Sequence, residues 1–364
     1  MSTGRLEGKV AIITGAAGGI GTTPDRLERP LMNSINHQVR LTARPSGLPK
    51  PTDWELTTEP VPVPAAGEFV VAISHLSIDP AMRGWMNAGA SYIEPVQIGA
   101  VMRAGAIGRV TASEHPGYAS GDHVYGAFGV QEFARSDGAG VVKLDPSLAP
   151  LPTYLGALGA TGLTAYFGLL DVARIQEGET VVVSGAAGAV GSVAGQIAKL
   201  KGCRVIGIAG GQAKCDWLVD ELGFDAAIDY KAQNVRQELR AQASNRVDVF
   251  FDNVGGEILD AVLTRLARGA RIVICGGVSQ YNAEQVRGPA NYLALIAARG
   301  SMTGMVIFDY ADRFPQATAE LAGWLQQGRL ISREQIVEGG VGAFPETLLS
   351  LFAGENTGKL VLAL

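Results

Sequence analysis

The stretch Val181-Val-Val-Ser-Gly-Ala-Ala-Gly-Ala-Val-Gly191 decides the fold of this chain. Its valines predict a buried strand, and its glycines predict a turn that opens a helix. Gly185 permits the tight turn, Gly188 lets the backbone approach a pyrophosphate, and Gly191 allows close packing of the helix. The amides and the positive potential at the N-terminus of that helix favour phosphate binding. We therefore expect Gly185, Ala187, Gly188 and Gly191 to bind a dinucleotide cofactor.

Strands and helices alternate around this motif, from about residue 152 to 306. The predicted strands are 180–184, 204–209, 227–229, 247–252 and 271–275, and the predicted helices include 188–201 and 214–222. Such alternation implies parallel strands joined by crossover helices, which form a doubly wound sheet. From residue 34 to 148, short β-like runs separated by proline and glycine predict a compact β-rich domain instead.

The length of 364 residues predicts two domains. We expect an α/β protein in which residues 34–151 and 318–364 form the β-rich domain and residues 152–317 the cofactor-binding domain. Residues 1–33 form an appended segment. Its run Gly15-Ala-Ala-Gly-Gly-Ile-Gly21 resembles the opening of a short-chain dehydrogenase, but Pro24 interrupts the helix that a phosphate site requires. We therefore expect this segment to bind nothing.

Composition argues against several classes of function. The net charge is −5 without long charged runs, which argues against a nucleic-acid partner. The uncharged stretches 146–170 and 180–198 are broken by glycine, which argues against a membrane span. The three cysteines exclude a disulfide framework and fit a reducing cytoplasm, where we expect the protein to reside. No metal site is expected, because metal-ligand spacing is missing from the four histidines, His37, His75, His115 and His123.

The strand that follows the glycine motif indicates which nucleotide binds. Sites for NAD usually offer a carboxylate at the end of this strand, but here Gly210 and Gly211 follow it. Lys214 stands one turn further and would attract the 2′-phosphate of NADP. We therefore expect NADP(H) as the cofactor. The alternative is that Lys214 is an ordinary solvated residue of a helix.

Six motifs occur in the order found in one family. They are Ser77-Ile-Asp-Pro-Ala-Met-Arg83, Gly159-Ala-Thr-Gly-Leu-Thr-Ala-Tyr-Phe-Gly168, Ser184-Gly-Ala-Ala-Gly-Ala-Val-Gly-Ser192, Phe251-Asp-Asn-Val-Gly-Gly256, Cys275-Gly-Gly-Val-Ser-Gln-Tyr-Asn282 and Gly354-Glu-Asn-Thr-Gly-Lys359. With them the chain, from about residue 37 to 364, resembles the zinc-free medium-chain dehydrogenase/reductases. The branch is that of leukotriene B4 12-hydroxydehydrogenase, prostaglandin reductase, curcumin reductase and the NADP-dependent alkenal double-bond reductases.

The resemblance implies a fold and a reaction. The fold is a GroES-like catalytic domain and a Rossmann domain, with the active site in the cleft between them. The reaction is NADPH-dependent reduction of a carbon–carbon double bond conjugated to a carbonyl, with hydride transfer to the β-carbon of a small enone or enal. The resemblance also suggests a homodimer.

Individual residues acquire expected roles from the same resemblance. Lys214 would hold the 2′-phosphate, Tyr230 would lie against the adenine, and Asn253 would approach the ribose and diphosphate. The residues expected around the nicotinamide half are Thr164, Cys275, Tyr281 and Asn356.

Tyr281 is the residue to which we assign a catalytic role. It follows the predicted strand 271–275, and doubly wound folds bind ligands beyond the carboxyl ends of their strands. Its phenol would donate to the substrate carbonyl as the hydride arrives, with a ribose hydroxyl of the cofactor as the competing donor.

The chain departs from the family at two positions. Ala81 replaces a common tyrosine of the substrate pocket, and Gly211 replaces a serine near the 2′-phosphate. Two other functions therefore stay open, an NADPH:quinone oxidoreductase and a non-enzymatic NADPH-binding protein.

Overall fold

A β-rich domain comes first in the computed structural model, which describes residues 35–89, 91–244 and 246–364. The expectations for residues 1–33 lie outside these ranges. The strands of this part are β1 (Ile35–Leu41), β2 (Trp54–Pro60), β3 (Phe69–Ser77), β4 (Ala106–Ser113), β5 (His123–Gly126), β6 (Phe133–Ser136) and β7 (Val142–Leu144). A short helix, α1 (Ala81–Trp85), follows β3, and β1 pairs with β2 in a separate antiparallel ribbon.

The glycine motif lies in a six-stranded sheet. Its strands are β8 (Thr180–Ser184), β9 (Arg204–Ala209), β10 (Ala226–Asp229), β11 (Val247–Asp252), β12 (Leu266–Ile274) and β13 (Ser301–Gly304). Their order is β10-β9-β8-β11-β12-β13, and every neighbouring pair is parallel. The order reverses between β8 and β11, which is where a doubly wound sheet binds its ligand. The predicted Rossmann architecture is confirmed.

Helices cover both faces of this sheet. They are α2 (Ala160–Phe167), α3 (Ala189–Leu200), α4 (Gln212–Asp216), α5 (Val235–Gln242), α6 (Gly256–Leu263) and α7 (Ala294–Ala298). Successive side chains of a strand point to opposite faces, and Val181 and Val182 accordingly enter two different apolar clusters. Among the described helices, none combines the length and the apolar character that crossing a bilayer requires.

Helix α8 (Phe314–Gln326) spans the predicted domain boundary at residues 317 and 318. Its buried residues Ala317, Leu321 and Trp324 share an apolar cluster with α2 and α3. Tyr166 of α2 also donates a hydrogen bond to Glu320 of α8. The chain therefore returns to the β-rich sheet only after this helix, while the boundary itself stays a prediction.

The C-terminal end of the chain completes the β-rich domain. Strands β14 (Glu334–Glu338) and β15 (Lys359–Ala363) join a seven-stranded sheet of order β14-β15-β3-β4-β5-β7, in which β6 also pairs with β3. All five residues of β15 are buried. Helix α9 (Phe344–Ala353) packs Phe344 and Leu348 onto the core of this sheet. Gly358, directly before β15, forms a bridge with Gly188, so the C-terminal end of the β-rich domain contacts the glycine motif.

Candidate active site

A cleft of about 510 Å³ lies between the two domains, at the carboxyl ends of the Rossmann strands. It is lined by all eleven residues that the sequence singles out: Thr164, Gly185, Ala187, Gly188, Gly191, Lys214, Tyr230, Asn253, Cys275, Tyr281 and Asn356. The β-rich domain contributes the other wall, with Ser77, Asp79, Gly105, Tyr125 and Lys359 among its residues. The fold therefore brings together residues that lie as far apart in the sequence as Ser77 and Lys359.

The turn after β8 has the geometry expected of a phosphate loop. Gly185 adopts a φ of 56°, in the region that favours glycine, and α3 begins directly after Gly188. A Cβ on Gly191 would lie 2.3 Å from the carbonyl oxygen of Gly185, so only glycine allows the helix to approach the turn this closely. The first amides of α3 consequently face the cleft at the position where a diphosphate is stabilised by a helix N-terminus.

The buried carboxyl group of Asp252 holds this loop in place through hydrogen bonds. Asp252 is fully buried at the end of β11, and its Oδ1 accepts hydrogen bonds from the Ser184 hydroxyl and the backbone amides of Val254 and Gly255. Burial raises the pKa of the Asp252 carboxyl. The side-chain amide of Asn253 donates to the Ser184 carbonyl oxygen at 2.7 Å, which fixes this side chain at the cleft. The sequence motif contains Asp252, but only the contacts reveal its supporting role.

Lys214 lines the cleft and forms no ion pair within the described residues. Its Nζ donates to the carbonyl oxygen of Gly354 at 2.7 Å, and burial together with the charge of Lys231 lowers its pKa. The nearby carboxylate of Asp229 accepts hydrogen bonds from the backbone amides of Gly211 and Lys231. Two ammonium groups therefore lie close together, while the neighbouring carboxylate is occupied by backbone donors.

Tyr281 also lines the cleft, and its hydroxyl donates to no group among the described residues. Its hydroxyl oxygen accepts the backbone amide of Gly277 at 3.1 Å, and burial raises the pKa of the phenol. Burial raises the pKa of the neighbouring Cys275 thiol to about 12, so this side chain is neutral. The Thr164 hydroxyl donates to the Ala160 carbonyl within α2. The phenol is therefore a neutral group whose oxygen is fixed by the backbone and whose proton can be donated.

The buried Lys359 of the β-rich wall forms an ion pair for which there is no local sequence signal. Lys359 is 2% exposed, and its Nζ donates to the Ile78 carbonyl at 2.7 Å and to Asp79 Oδ1 at 2.8 Å. The Ser77 hydroxyl donates to the other oxygen of the Asp79 carboxylate. Next to Lys359, the Gly358 amide donates to the Ala187 carbonyl at 2.8 Å. The segment from Asn356, which donates to the Gly358 carbonyl, to Lys359 thus connects the phosphate loop with the opposite wall.

Comparison with known proteins agrees with this geometry. Two family models match, the N-terminal domain of oxidoreductase over residues 37–144 and the zinc-binding dehydrogenase model over residues 189–323. Despite the second model's name, the described residues contain no group of three or more histidine, cysteine or acidic side chains arranged to hold a metal ion.

Characterised relatives match over nearly the whole described chain. The NADPH-dependent curcumin reductase of Escherichia coli is 40% identical over 333 residues, 90% of this chain and 96% of the relative. The NADP(+)-dependent 2-alkenal reductase of Nicotiana tabacum is 37% identical over 333 residues, 90% of this chain and 97% of the relative. The crystal structure of CurA from Vibrio vulnificus in complex with NADPH has a TM-score of 0.85 at 43% identity, covering 90% of this chain and 98% of that one. This chain therefore belongs to the medium-chain dehydrogenase/reductase family, in the branch of the curcumin and alkenal reductases.

Proposed function

We propose that this protein uses NADPH to reduce the carbon–carbon double bond of α,β-unsaturated ketones and aldehydes. The observation that carries the proposal is the position of the Tyr281 phenol, with its donatable proton, in the same cleft as the phosphate loop and Lys214. Relatives named for curcumin and 2-alkenal reduction support the same substrate class.

The residues of the cleft fit NADPH from end to end. Lys214 would hold the 2′-phosphate with Lys231 nearby, because the Lys214 ammonium has no ion-pair partner among the described residues. The glycine loop and the first amides of α3 would hold the diphosphate. When bound, NADPH supplies the hydride that a conjugated double bond accepts at its β-carbon.

Tyr281 would then act on the substrate carbonyl. A hydrogen bond from its phenol to the carbonyl oxygen stabilises the enolate charge that develops as the β-carbon is reduced. The Gly277 amide holds the phenol oxygen, so little reorganisation is needed at that moment. The proton for the α-carbon comes from solvent or from Tyr281 itself. The Lys359–Asp79 pair keeps the facing wall in place.

Oxidation of NADPH against a panel of alkenals, alkenones and quinones tests this proposal, with each product identified. We expect the saturated ketone or aldehyde from enones and enals. An allylic alcohol would show that the hydride reaches the carbonyl carbon instead. Turnover of quinones alone would favour a quinone oxidoreductase, and tight NADPH binding without any turnover would favour a non-enzymatic role.

We also infer that two copies associate through β13 and α7. Strand β13 is an edge of the six-stranded sheet as described, and an unpaired edge can pair with a second copy. Beside it, Leu293 and Ile296 are 60% and 74% exposed, a patch of the kind that marks an interface. Light scattering should report a dimer, and Ile296→Asp should convert it to a monomer; a wild-type monomer would contradict the inference.

A cytoplasmic location remains a prediction that rests on the cysteine count.

A further inference from the structure

Tyr125 is a second tyrosine of the cleft, and its ring is firmly held. It lies on β5, where its backbone is opposite Ile107 of β4 and Val142 of β7. The ring packs against a small buried cluster formed by Ile107, Leu155 and Val361. The pairing fixes the backbone of Tyr125, and the apolar cluster holds its ring at the cleft wall.

The hydroxyl of Tyr125 points to Gly105. A Cβ on Gly105 would lie 3.0 Å from the Tyr125 oxygen, and both residues line the cleft. The absence of a side chain at Gly105 therefore leaves space at the hydroxyl. Burial raises the pKa of Tyr125 to about 12, with the negative charge of Asp79 contributing, so the phenol is protonated and can donate a hydrogen bond.

This hydroxyl has no hydrogen-bond partner among the described residues, unlike the hydroxyls of Tyr118 and Tyr154. The Tyr118 hydroxyl donates to the Val141 carbonyl, and the Tyr154 hydroxyl donates to the Asp145 carbonyl. The Tyr125 oxygen is not among the fully enclosed unpaired polar atoms of the described residues, so it can be reached from the cleft that Tyr125 lines. A ligand oxygen in the cleft would supply the missing partner.

We propose that Tyr125 is a specificity-determining residue whose hydroxyl binds a second oxygen of the substrate, beyond the carbonyl that Tyr281 binds. This inference rests on the proposed function, since it assigns the Tyr281 phenol to the enone carbonyl. The preferred substrates are then enones that carry an additional hydroxyl or carbonyl group, and plain alkenones lack one contact. A site built around a polar group discriminates against analogues that leave it unpaired.

Matched substrates test the inference. The probes are straight-chain α,β-unsaturated methyl ketones that carry one hydroxyl at successive positions beyond the double bond, each compared with its parent ketone. The measured quantity is the ratio of kcat/KM for the hydroxylated ketone to that for the parent. Because both rates come from the same preparation, the ratio does not depend on the folded fraction of a variant.

The wild-type ratio should exceed one for at least one hydroxyl position, and Tyr125→Phe should lower that ratio by about tenfold, the effect of one hydrogen bond. The control is Tyr118→Phe, which removes a hydroxyl from the same domain but outside the lining of the cleft, and which should leave the ratio unchanged. A wild-type ratio of one or less at every position, or a Tyr125→Phe protein that keeps the wild-type ratio, overturns the inference.

The same data separate this inference from the function on which it rests. Reduction of the parent ketones with an unchanged ratio in Tyr125→Phe contradicts only the role of Tyr125. Failure to reduce any ketone of the series contradicts the proposed function and the inference with it.

Discussion

Lys214 is the residue on which the choice between NADPH and NADH depends. Its ammonium has no carboxylate partner in the described structure and lies near Lys231, an arrangement that a 2′-phosphate would relieve. We expect Lys214→Ala to weaken NADPH binding by about 1–3 kcal/mol, the value of a charge-assisted contact. Binding of NADH should barely change, because NADH has no 2′-phosphate. Calorimetric titration with both nucleotides measures the difference.

Lys199 offers a matched control for that experiment. Its Nζ pairs with the Asp225 carboxylate on the surface, and it is not among the residues that line the cleft. Lys199→Ala should leave the affinities for both nucleotides unchanged. Equal losses for NADPH and NADH in Lys214→Ala would contradict the role of Lys214 in recognising the 2′-phosphate.

In the proposed mechanism, Tyr281 determines the rate of the chemical step by stabilising the enolate. Tyr281→Phe removes the proton that stabilises the enolate while keeping the ring, so kcat should fall by about ten- to a thousandfold. The affinity for NADPH should hardly change, and chelators should have no effect on the wild type. A Tyr281→Phe enzyme with full kcat would leave the ribose hydroxyl of the cofactor as the donor.

Local sequence predicts some residues of the cleft and not others. The loop glycines and Lys214 follow from turn geometry and charge next to a predicted strand, and the resemblance supplies the rest of the eleven. Asp79 and Lys359 meet across 280 positions, and nothing within a few residues of either one indicates the other. The unpaired hydroxyl of Tyr125 is likewise visible only when its neighbours in space are known.

At the scale of elements, the close contact between the glycine loop and α3 depends on the absence of a side chain at Gly191. Gly191→Ala would place a Cβ 2.3 Å from the Gly185 carbonyl oxygen, which is too close for any atom, so the helix or the turn must shift. Overpacking of this kind costs about 1–3 kcal/mol or more. We expect a lower melting temperature and loss of NADPH affinity together, measured by calorimetry on the same preparation.

Gly323 of α8 is the corresponding control. It is also a helical glycine, but a Cβ added there would meet no atom within 4 Å. Gly323→Ala should be neutral or stabilising by up to about 1 kcal/mol, because alanine favours a helix over glycine. A Gly191→Ala protein as stable as Gly323→Ala, with normal NADPH binding, would show that the loop tolerates the extra methyl.

The buried strands of the molecule are predicted well, but two strands at the ends of its sheets are missed. The predicted strands 180–184, 204–209 and 247–252 match β8, β9 and β11 because buried parallel strands are continuous runs of β-branched and aromatic residues. Strands β13 and β14 are not predicted. Each has several exposed positions and lies at the end of its sheet as described, so hydrogen bonding to one neighbour, rather than an apolar run, defines it.

At the scale of the whole molecule, the alternation of patterns predicts the Rossmann and β-rich architectures, and the family resemblance implies the cleft between them. Neither indicates how the C-terminal part is shared between the two domains. Helix α8 packs on α2 and α3, whereas β14 and β15 enter the other sheet. Both segments are amphipathic or apolar, and either core could accept such a surface. Contacts between distant residues decide which core each segment joins. One of them is the hydrogen bond from Tyr166 to Glu320, which lie 154 residues apart and connect α8 to α2.

The number of nucleotide sites is also a property of the whole chain. Its sequence contains two glycine-rich motifs, Gly185 to Gly191 in the cleft and Gly15 to Gly21 outside the described residues. From the sequence alone, Pro24 argues against a helix that would present amides to a phosphate after the first motif. We therefore expect titration of the full-length chain to give one NADPH per chain and a single class of site. Lys214→Ala should weaken that entire isotherm, whereas two equivalents per chain, or one tight site that survives Lys214→Ala, would show that the opening turn binds nucleotide as well.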